Sequence, residues 1–228
     1  MRVPARKLVL VVVIVLIAGI LALCGTWVLR KVFKYRPANY TEAGVIVAAG
    51  RVIPDQIVLD STRAARLHLV SIGEGTSVRI VGKDSRTVAT VSIEPGQVRS
   101  VVLSRRMVQD LGNGELRADN RAARIVVRPP AENAAVPSSS TDLAVVMTNL
   151  LAAPKSITLR KGVPVTLFIT KTPSEVSFDV FECKALDIRL EVEDNKLSEV
   201  KLTPDKTGDF EFLGTVTPDS KVVLHVVE

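Results

Sequence analysis

The feature that most constrains this chain is an apolar run from Leu8 to Leu29, in which 22 consecutive residues carry no charged side chain. A helix of this length would rise roughly 33 Å at about 1.5 Å per residue, enough to cross the hydrocarbon core of a bilayer. A helix also satisfies its own backbone hydrogen bonds in lipid, so the many Val and Ile residues do not oppose it. The run therefore predicts a single transmembrane anchor.

Six residues along the run are expected to define the anchor, because they mark its ends, its middle, its glycines and its interfacial tryptophan. They are Leu8, Leu16, Gly19, Gly25, Trp27 and Leu29. The two glycines would let a second helix approach closely, and the basic residues after the run are expected at the lipid head groups. Those basic residues are Arg30, Lys31, Lys34 and Arg36.

The orientation and the retention of the anchor are the two points on which the sequence leaves alternatives. Three basic residues precede the run and four follow it, so the charge bias that sets orientation is nearly balanced. We expect a single-pass protein of the inner membrane with its bulk on the periplasmic or extracellular side, since long exported domains move largely regardless of charge. The competing interpretation is a cleaved signal peptide with a lipobox-like end at Leu21–Cys24, for which the apolar run is too long.

The positive charge of the chain comes from its N-terminal segment. Residues 1–36 carry seven Lys or Arg and no Asp or Glu, so residues 37–228 sum to −1 although the whole chain is +6. The net charge therefore gives no indication of nucleic-acid binding. Beyond the anchor the charge is uneven, with 13 basic and nine acidic residues in 41–130 but ten and 15 in 131–228.

Arginines supply nearly all of the positive charge in residues 41–130, and their forked guanidinium groups suit contacts with acidic loops of a partner protein. The candidate partner-binding residues are Arg63, Arg66, Arg105, Arg106 and Arg124. Arg99, Arg121 and Arg128 belong to the same set. An ordinary solvated surface is the competing interpretation.

Short stretches of alternating apolar and polar residues, separated by Gly, Pro, Asp and Asn, follow the anchor and predict strands at the spacing of a β-sandwich. A stretch of Pro, Ala and Ser interrupts them and predicts a linker. The predicted organisation is residues 1–36 with the span at about 8–29, a first sandwich at 37–130, a linker at 131–141 and a second sandwich at 142–228.

The strands and breakers recur in the same order in both halves, which predicts two copies of one β domain. The pattern Pro54-x-x-Ile57-x-Leu59, for example, corresponds to Pro154-x-x-Ile157-x-Leu159 in the second half. The further matches that the sequence suggests are Leu67 with Leu167, Val78 with Phe178, Val101 with Val200, Gly114 with Gly208, and Ile125 with Val222.

Three segments of the second copy resemble the cupredoxin family: the Lys161-Gly162 turn between two strands, Val176-Ser177-Phe178, and Pro204-x-x-x-Gly208-x-Phe210-x-Phe212. In that family the second segment reads His-x-Phe, and the third precedes the Cys of a copper loop. The resemblance covers about 70 residues of the second copy and, through the repeat, extends more faintly to the first. It implies an all-β protein of two tandem cupredoxin-like domains, each an antiparallel Greek-key sandwich, preceded by one transmembrane α-helix.

The residues depart from the family at the copper ligands, which are two His, a Cys and usually a Met. Val176 stands in the place of the first His and Leu213 in that of the Cys, and Ala118 takes the place of the Cys in the first copy. Residues 214–220 contain no His, Cys or Met. We therefore expect no metal, no cofactor, no small-molecule substrate and no catalytic residue.

The remaining residues of catalytic types are predicted to be structural. His68 and His225 lie in alternating strand patterns, where a surface or edge histidine with a hydrogen bond is commoner than an isolated ligand. Cys183 is expected to be a half-buried structural thiol. The chain has no Gly-x-Ser-x-Gly elbow and no phosphate-binding loop.

A single span followed by cupredoxin-like domains is similar to subunit II of haem-copper oxidases, although the Cys-x-x-x-Cys ligands of that subunit are missing here. We expect a non-catalytic accessory or structural subunit of a bioenergetic membrane complex, photosynthetic or respiratory, which binds other subunits and the bilayer. The alternatives are a stand-alone adhesion or sensor ectodomain and an atypical copper-handling or electron-transfer protein.

Overall fold

Alternating apolar and polar residues form 18 strands in the part of the chain that this computed structural model describes, residues 40–48, 50–129, 141–148, 152–174, 178–216 and 220–228. The first half contains β1 Tyr40–Ala48, β2 Arg51–Ile53, β3 Gln56–Asp60, β4 Ala64–Ser71, β5 Thr76–Val81, β6 Thr87–Ile93, β7 Val98–Leu103, helix α1 Arg105–Leu111, β8 Gly114–Ala118 and β9 Arg121–Arg128. The second half contains β10 Asp142–Met147, β11 Ala152–Ala153, β12 Ser156–Arg160, β13 Val165–Lys171, β14 Phe178–Cys183, a 3₁₀ turn Lys184–Leu186, β15 Ile188–Glu193, β16 Leu197–Leu202, β17 Gly208–Gly214 and β18 Lys221–Val227.

These strands form four sheets, which build two β-sandwiches. Domain 1 consists of sheet A, in the order β2-β1-β4-β7, and sheet B, in the order β3-β9-β8-β5-β6. Domain 2 repeats both orders as sheet C, β11-β10-β13-β16, and sheet D, β12-β18-β17-β14-β15. The predicted all-β pair of sandwiches is confirmed, but the sheets are mixed, because each contains one parallel pair: β1 with β4, β3 with β9, β10 with β13, and β12 with β18.

Each sandwich encloses its own apolar core. In β4 the side chains of Leu67 and Leu69 point between sheets A and B, where they meet residues such as Ile80 and Ile125. In domain 2 the corresponding core contains Phe181 and Phe212, whose ring centroids lie 5.5 Å apart, together with many aliphatic residues. The alternation of the sequence thus sets one face of every strand into a core.

The strand registers confirm the predicted repeat in part. Leu67 pairs with Val101 and Leu167 pairs with Val200, which confirms both of those equivalences. The predicted matches of Val78, Gly114 and Ile125 are wrong. The registers instead match Val78 with Phe181, Leu116 with Phe212 and Ile125 with Leu224.

The physical cause of these errors is unequal loop length. The stretch from Lys171 to Phe181 is three residues longer than the equivalent stretch from Ser71 to Val78, and α1 between β7 and β8 has no counterpart in domain 2. The offset between equivalent residues therefore changes at these two places, and the three predicted matches that were misplaced follow them. The helix itself was not predicted. Ser104 caps its N-terminus by accepting a hydrogen bond from the Met107 N–H at 3.2 Å, and the helix buries the side chains of Val108 and Leu111.

A third apolar core joins the two domains into one body. Strands β1 and β10 contain continuous apolar runs, Val45 to Ala48 and Leu143 to Met147, as expected for strands that are buried on both faces. The side chains of Ile46, Val146 and Phe168 meet between sheets A and C. The four sheets therefore stack in the order B, A, C, D.

Equivalent positions of the two domains meet across this interface. A Cβ atom on Gly44 would lie 2.7 Å from the carbonyl oxygen of Ala144, its equivalent in domain 2. Gly96, in the turn between β6 and β7, lies against Asn195, which occupies the equivalent turn between β15 and β16. The interface thus has the self-complementary arrangement of a two-fold dimer within one chain.

Among the residues that the structure describes, no helix is long and apolar enough to cross a bilayer. The predicted span at 8–29 and the basic residues after it lie outside those residues, as does most of the predicted linker at 131–141. The predicted domain boundaries stay a prediction.

Candidate functional site

The end of domain 2 that corresponds to the copper loop of the cupredoxin family is closed by a buried carboxylate. Asp179, at the start of β14, has no solvent exposure. Its Oδ1 accepts hydrogen bonds from the N–H groups of Val180 and Val216, both at 2.8 Å. Val216, just after β17, is therefore held to β14 by a side chain whose Oδ1 already accepts two hydrogen bonds.

The described residues around this end do not fit a cupredoxin copper ion. Leu213 is a half-buried aliphatic residue in β17, and its equivalent in domain 1 is the exposed Arg117, not Ala118 as predicted. Val176 lies outside the described residues. The thiol of Cys183 is buried in the core of domain 2 instead of being half-buried, and His225 is hydrogen-bonded to Asp209 at 2.5 Å on the outer face of sheet D.

The prediction for His68 is wrong, because this residue is neither at the surface nor at an edge. It lies in β4, an inner strand of sheet A, and is 5% exposed. Its Nδ1 is 3.1 Å from the Ser100 hydroxyl, and its Nε2 is buried without a hydrogen-bond partner in the described structure. Burial lowers the pKa of His68 because it removes water from the charged form, an effect that Glu42 opposes and Arg66 reinforces.

An ion pair with a buried lysine, which the sequence did not reveal, lies where the chain leaves β13. The Nζ of Lys171 lies 2.6 Å from Asp194 Oδ1 and 2.5 Å from the Ser174 hydroxyl. The other oxygen of Asp194 accepts a hydrogen bond from the Ser174 N–H at 3.0 Å. The equivalent of Lys171 in domain 1 is Ser71, so this pair is a feature of domain 2 alone.

A groove of about 210 Å³ follows the approximate two-fold axis between the domains. Its lining consists of equivalent residues of both copies: Ala43 and Leu143, Gly44 and Ala144, Pro54 and Pro154, Gln56 and Ser156, Ile57 and Ile157, and Val58 and Thr158, together with Glu42. Glu42, the one charged residue of this lining, lies 3.7 Å from Arg66. The groove therefore presents an aliphatic and mildly polar surface, and its one carboxylate faces a guanidinium.

Two of the five candidate partner-binding arginines are engaged within domain 1. Arg66 packs 4.5 Å from the ring of Tyr40 in addition to its contact with Glu42. Arg63 lies 3.2 Å from the carboxylate of Asp60. These two contacts are local, so the guanidinium groups are only partly available to another protein.

The other three candidates are exposed but do not lie together. Arg105 and Arg106 begin α1, where Arg106 is 3.9 Å from Asp110. Arg124 lies on the outer face of sheet B, in β9. The five predicted arginines thus fall into three groups: two make local contacts within domain 1, two begin α1, and one lies on the outer face of sheet B.

The match to a family model concerns domain 2 and β9, the last strand of domain 1. Residues 123–226 match the sequence model of the family described as cupredoxin-like domain. The chain contains a cupredoxin-like domain. Domain 1 has the same strand order in both of its sheets as domain 2. No curated protein sequence matches the chain.

Solved structures with weak similarity include several copper proteins. A chain of a haem-copper terminal oxidase dimer is 8% identical with a TM-score of 0.32, and the match covers 37% of this chain and 63% of that chain. A multicopper oxidase is 11% identical over 81% of this chain and 88% of that chain, with a TM-score of 0.33. The periplasmic domain of subunit II of cytochrome oxidase from Bradyrhizobium japonicum is 18% identical over 35% and 59%, with a TM-score of 0.29.

Proposed function

We propose that this protein is a non-catalytic accessory subunit of a multi-subunit bioenergetic membrane complex, respiratory or photosynthetic. In this proposal a single N-terminal span anchors the chain, and the pair of cupredoxin-like domains stabilises the assembly or docks partners outside the membrane. The membrane anchor in this proposal is inferred from the apolar run at 8–29, and the accessory role from the family resemblance.

The observation that carries the proposal is the apolar core between the domains. Because Ile46, Val146 and Phe168 pack between sheets A and C, the two sandwiches form one body with fixed outer faces. A fixed pair of faces suits a protein that positions its neighbours, since little conformational freedom is lost when a partner binds.

Two residues at this end of domain 2 support a non-catalytic role. Leu213 supplies no ligating atom, and the carboxylate of Asp179 already accepts two backbone hydrogen bonds. A surface role needs neither position to be reactive. The proposal therefore assigns function to exposed residues and not to this end of domain 2.

The test is purification of the tagged full chain in mild detergent, followed by mass spectrometry of the proteins that remain bound. The proposal expects a constant set of membrane proteins in fixed stoichiometry, and loss of that set when residues 1–36 are deleted. A monodisperse monomer without constant neighbours would overturn it and favour an adhesion or sensor ectodomain. Stoichiometric copper with a charge-transfer absorption would overturn it in favour of copper handling.

A further inference from the structure

The outer face of sheet B carries four exposed arginines, which we name the arginine face. They are Arg79 in β5, Arg117 in β8, and Arg124 and Arg128 in β9. Their side chains alternate with core residues along each strand, so all four point away from domain 1 on the same side of the sheet.

The strand register brings these guanidinium groups close to one another. Arg79 lies directly opposite Arg117 in the antiparallel pair of β5 and β8. Arg117 is diagonal to Arg124, because Arg124 lies opposite Glu115 in the next pair. Like charges directly opposite each other destabilise a sheet. Folding alone therefore gives no reason for this arrangement.

Little of this positive charge is neutralised within the protein. In the described structure the one ion pair among the four arginines joins Arg117 to Glu115 at 2.8 Å. The outer face of sheet D is different, since Arg189 and Lys221 each lie close to a carboxylate there and His225 is hydrogen-bonded to one, although Arg160 on the same face has no ion pair in the described structure. The pairs are Arg189 with Glu182, Lys221 with Glu211, and His225 with Asp209.

The equivalent positions emphasise this contrast between the two copies. By strand register Arg79 corresponds to Glu182, Arg124 to Val223 and Arg128 to Val227. The same face of the same fold is thus arginine-rich in one copy and not in the other. The difference belongs to the surface, because the core residues of both copies remain apolar.

We propose that the arginine face is the docking surface for an acidic face of another protein, and this inference rests on the proposed function as an accessory subunit. An arginine side chain can bind both oxygens of a carboxylate at once, and its guanidinium group is weakly hydrated, so removing its water costs little. Both properties suit a protein interface. A lipid surface fits less well, because the large exposed apolar residues of the described chain, Val102, Val163 and Val216, all lie away from this face.

The experiment compares two charge-reversal variants of the full chain. The test variant is Arg79→Glu with Arg124→Glu, and the control is Lys83→Glu with Arg86→Glu, which changes the net charge equally at exposed positions of domain 1 outside the face. The test variant should remain folded with a Tm close to wild type, because Arg79→Glu replaces a like-charge pair with an attractive one, which offsets the two carboxylates that Arg124→Glu places opposite each other at Glu115.

Two probes are used: the membrane proteins that copurify with the full chain, and a labelled peptide of ten glutamates. The test variant should lose at least about tenfold in affinity for the peptide, and the copurifying set should dissociate at lower salt, while the control stays near wild type. An equal effect of both variants, or no effect of either, would overturn the proposal. So would a selective loss of binding to vesicles containing phosphatidylglycerol, or a loss of self-association.

The outcomes separate this inference from the function on which it rests. If the chain has no constant neighbours but the test variant alone loses the glutamate peptide, the arginine face stands and the accessory role fails. If the neighbours are constant and unaffected by the test variant, the accessory role stands and the arginine face fails.

Discussion

Replacing Gly44 by alanine tests the close approach of the two domains. Gly44 lies in β1 beside the interface, and a Cβ atom there would be 2.7 Å from the carbonyl oxygens of both Ala144 and Ala153. Both neighbours are backbone atoms of domain 2 and cannot rotate away. The added methyl group must therefore move β1 away from β10 or distort one of the strands.

The expected cost follows from overpacking. Extra carbon in a closely packed region costs about 1–3 kcal/mol, which for a unit of this size lowers the Tm by roughly 2–12 °C. Gly75 is the matched control, since its Cβ would lie 3.4 Å from the nearest atom, an ordinary contact. Gly75→Ala should leave the free energy of unfolding within about 1 kcal/mol of wild type.

The assay is urea denaturation of the full chain in detergent, followed by far-ultraviolet circular dichroism. Gly44→Ala should lower the midpoint and, if the interface opens before the domains unfold, broaden the transition into two steps. Equal free energies of unfolding for Gly44→Ala and Gly75→Ala would refute the close contact and, with it, the description of the two domains as one body.

Three further predictions concern buried polar groups. Because burial lowers the pKa of His68 below its ordinary 6.5, the unfolded chain binds the proton more readily, so stability should be retained above pH 6.5 and lost as the pH falls towards the folded pKa. His68→Phe should reduce that loss in denaturation at pH 5 and 7.5. Lys171→Met should cost about 3–5 kcal/mol in the same assay, since it leaves Asp194 without its cation. Asp179→Ala should cost about 1–3 kcal/mol and speed hydrogen exchange at the Val216 amide.

Each of these predictions has its own control. His225→Gln removes the exposed histidine, so a pH dependence that changes equally in both histidine variants would contradict the assignment to His68. Adding Asp194→Leu to Lys171→Met should recover part of the stability, because no uncompensated charge then remains. For Asp179→Ala, unchanged exchange at Val216 would show that the carboxylate does not fix the segment after β17.

The alternation of apolar and polar residues was sufficient to predict the strands and the two sandwiches. It failed for His68 for a physical reason. In a single sandwich, the residue that alternates with Leu67 and Leu69 faces water, and the prediction assumed this. Here a second domain covers that face, so both sides of β4 are buried.

The continuous apolar runs of β1 and β10 contained the missing information. A strand that does not alternate is buried on both faces, and Val45 to Ala48 could have indicated that sheet A has a neighbour on each side. The register of the arginines was not accessible in the same way. Which of them lie opposite each other depends on the lengths of the loops before β5 and β8, which sequence spacing does not fix.

The approximate two-fold contact between sheets A and C has a consequence for how the surface varies. In a dimer of identical chains, every substitution occurs twice and the two ends of the assembly must carry the same charge. Covalent fusion of the halves removes this constraint and also makes their association independent of protein concentration. One end of this molecule therefore displays unpaired guanidinium groups while the other is largely neutralised, a polarity that no symmetric homodimer can have.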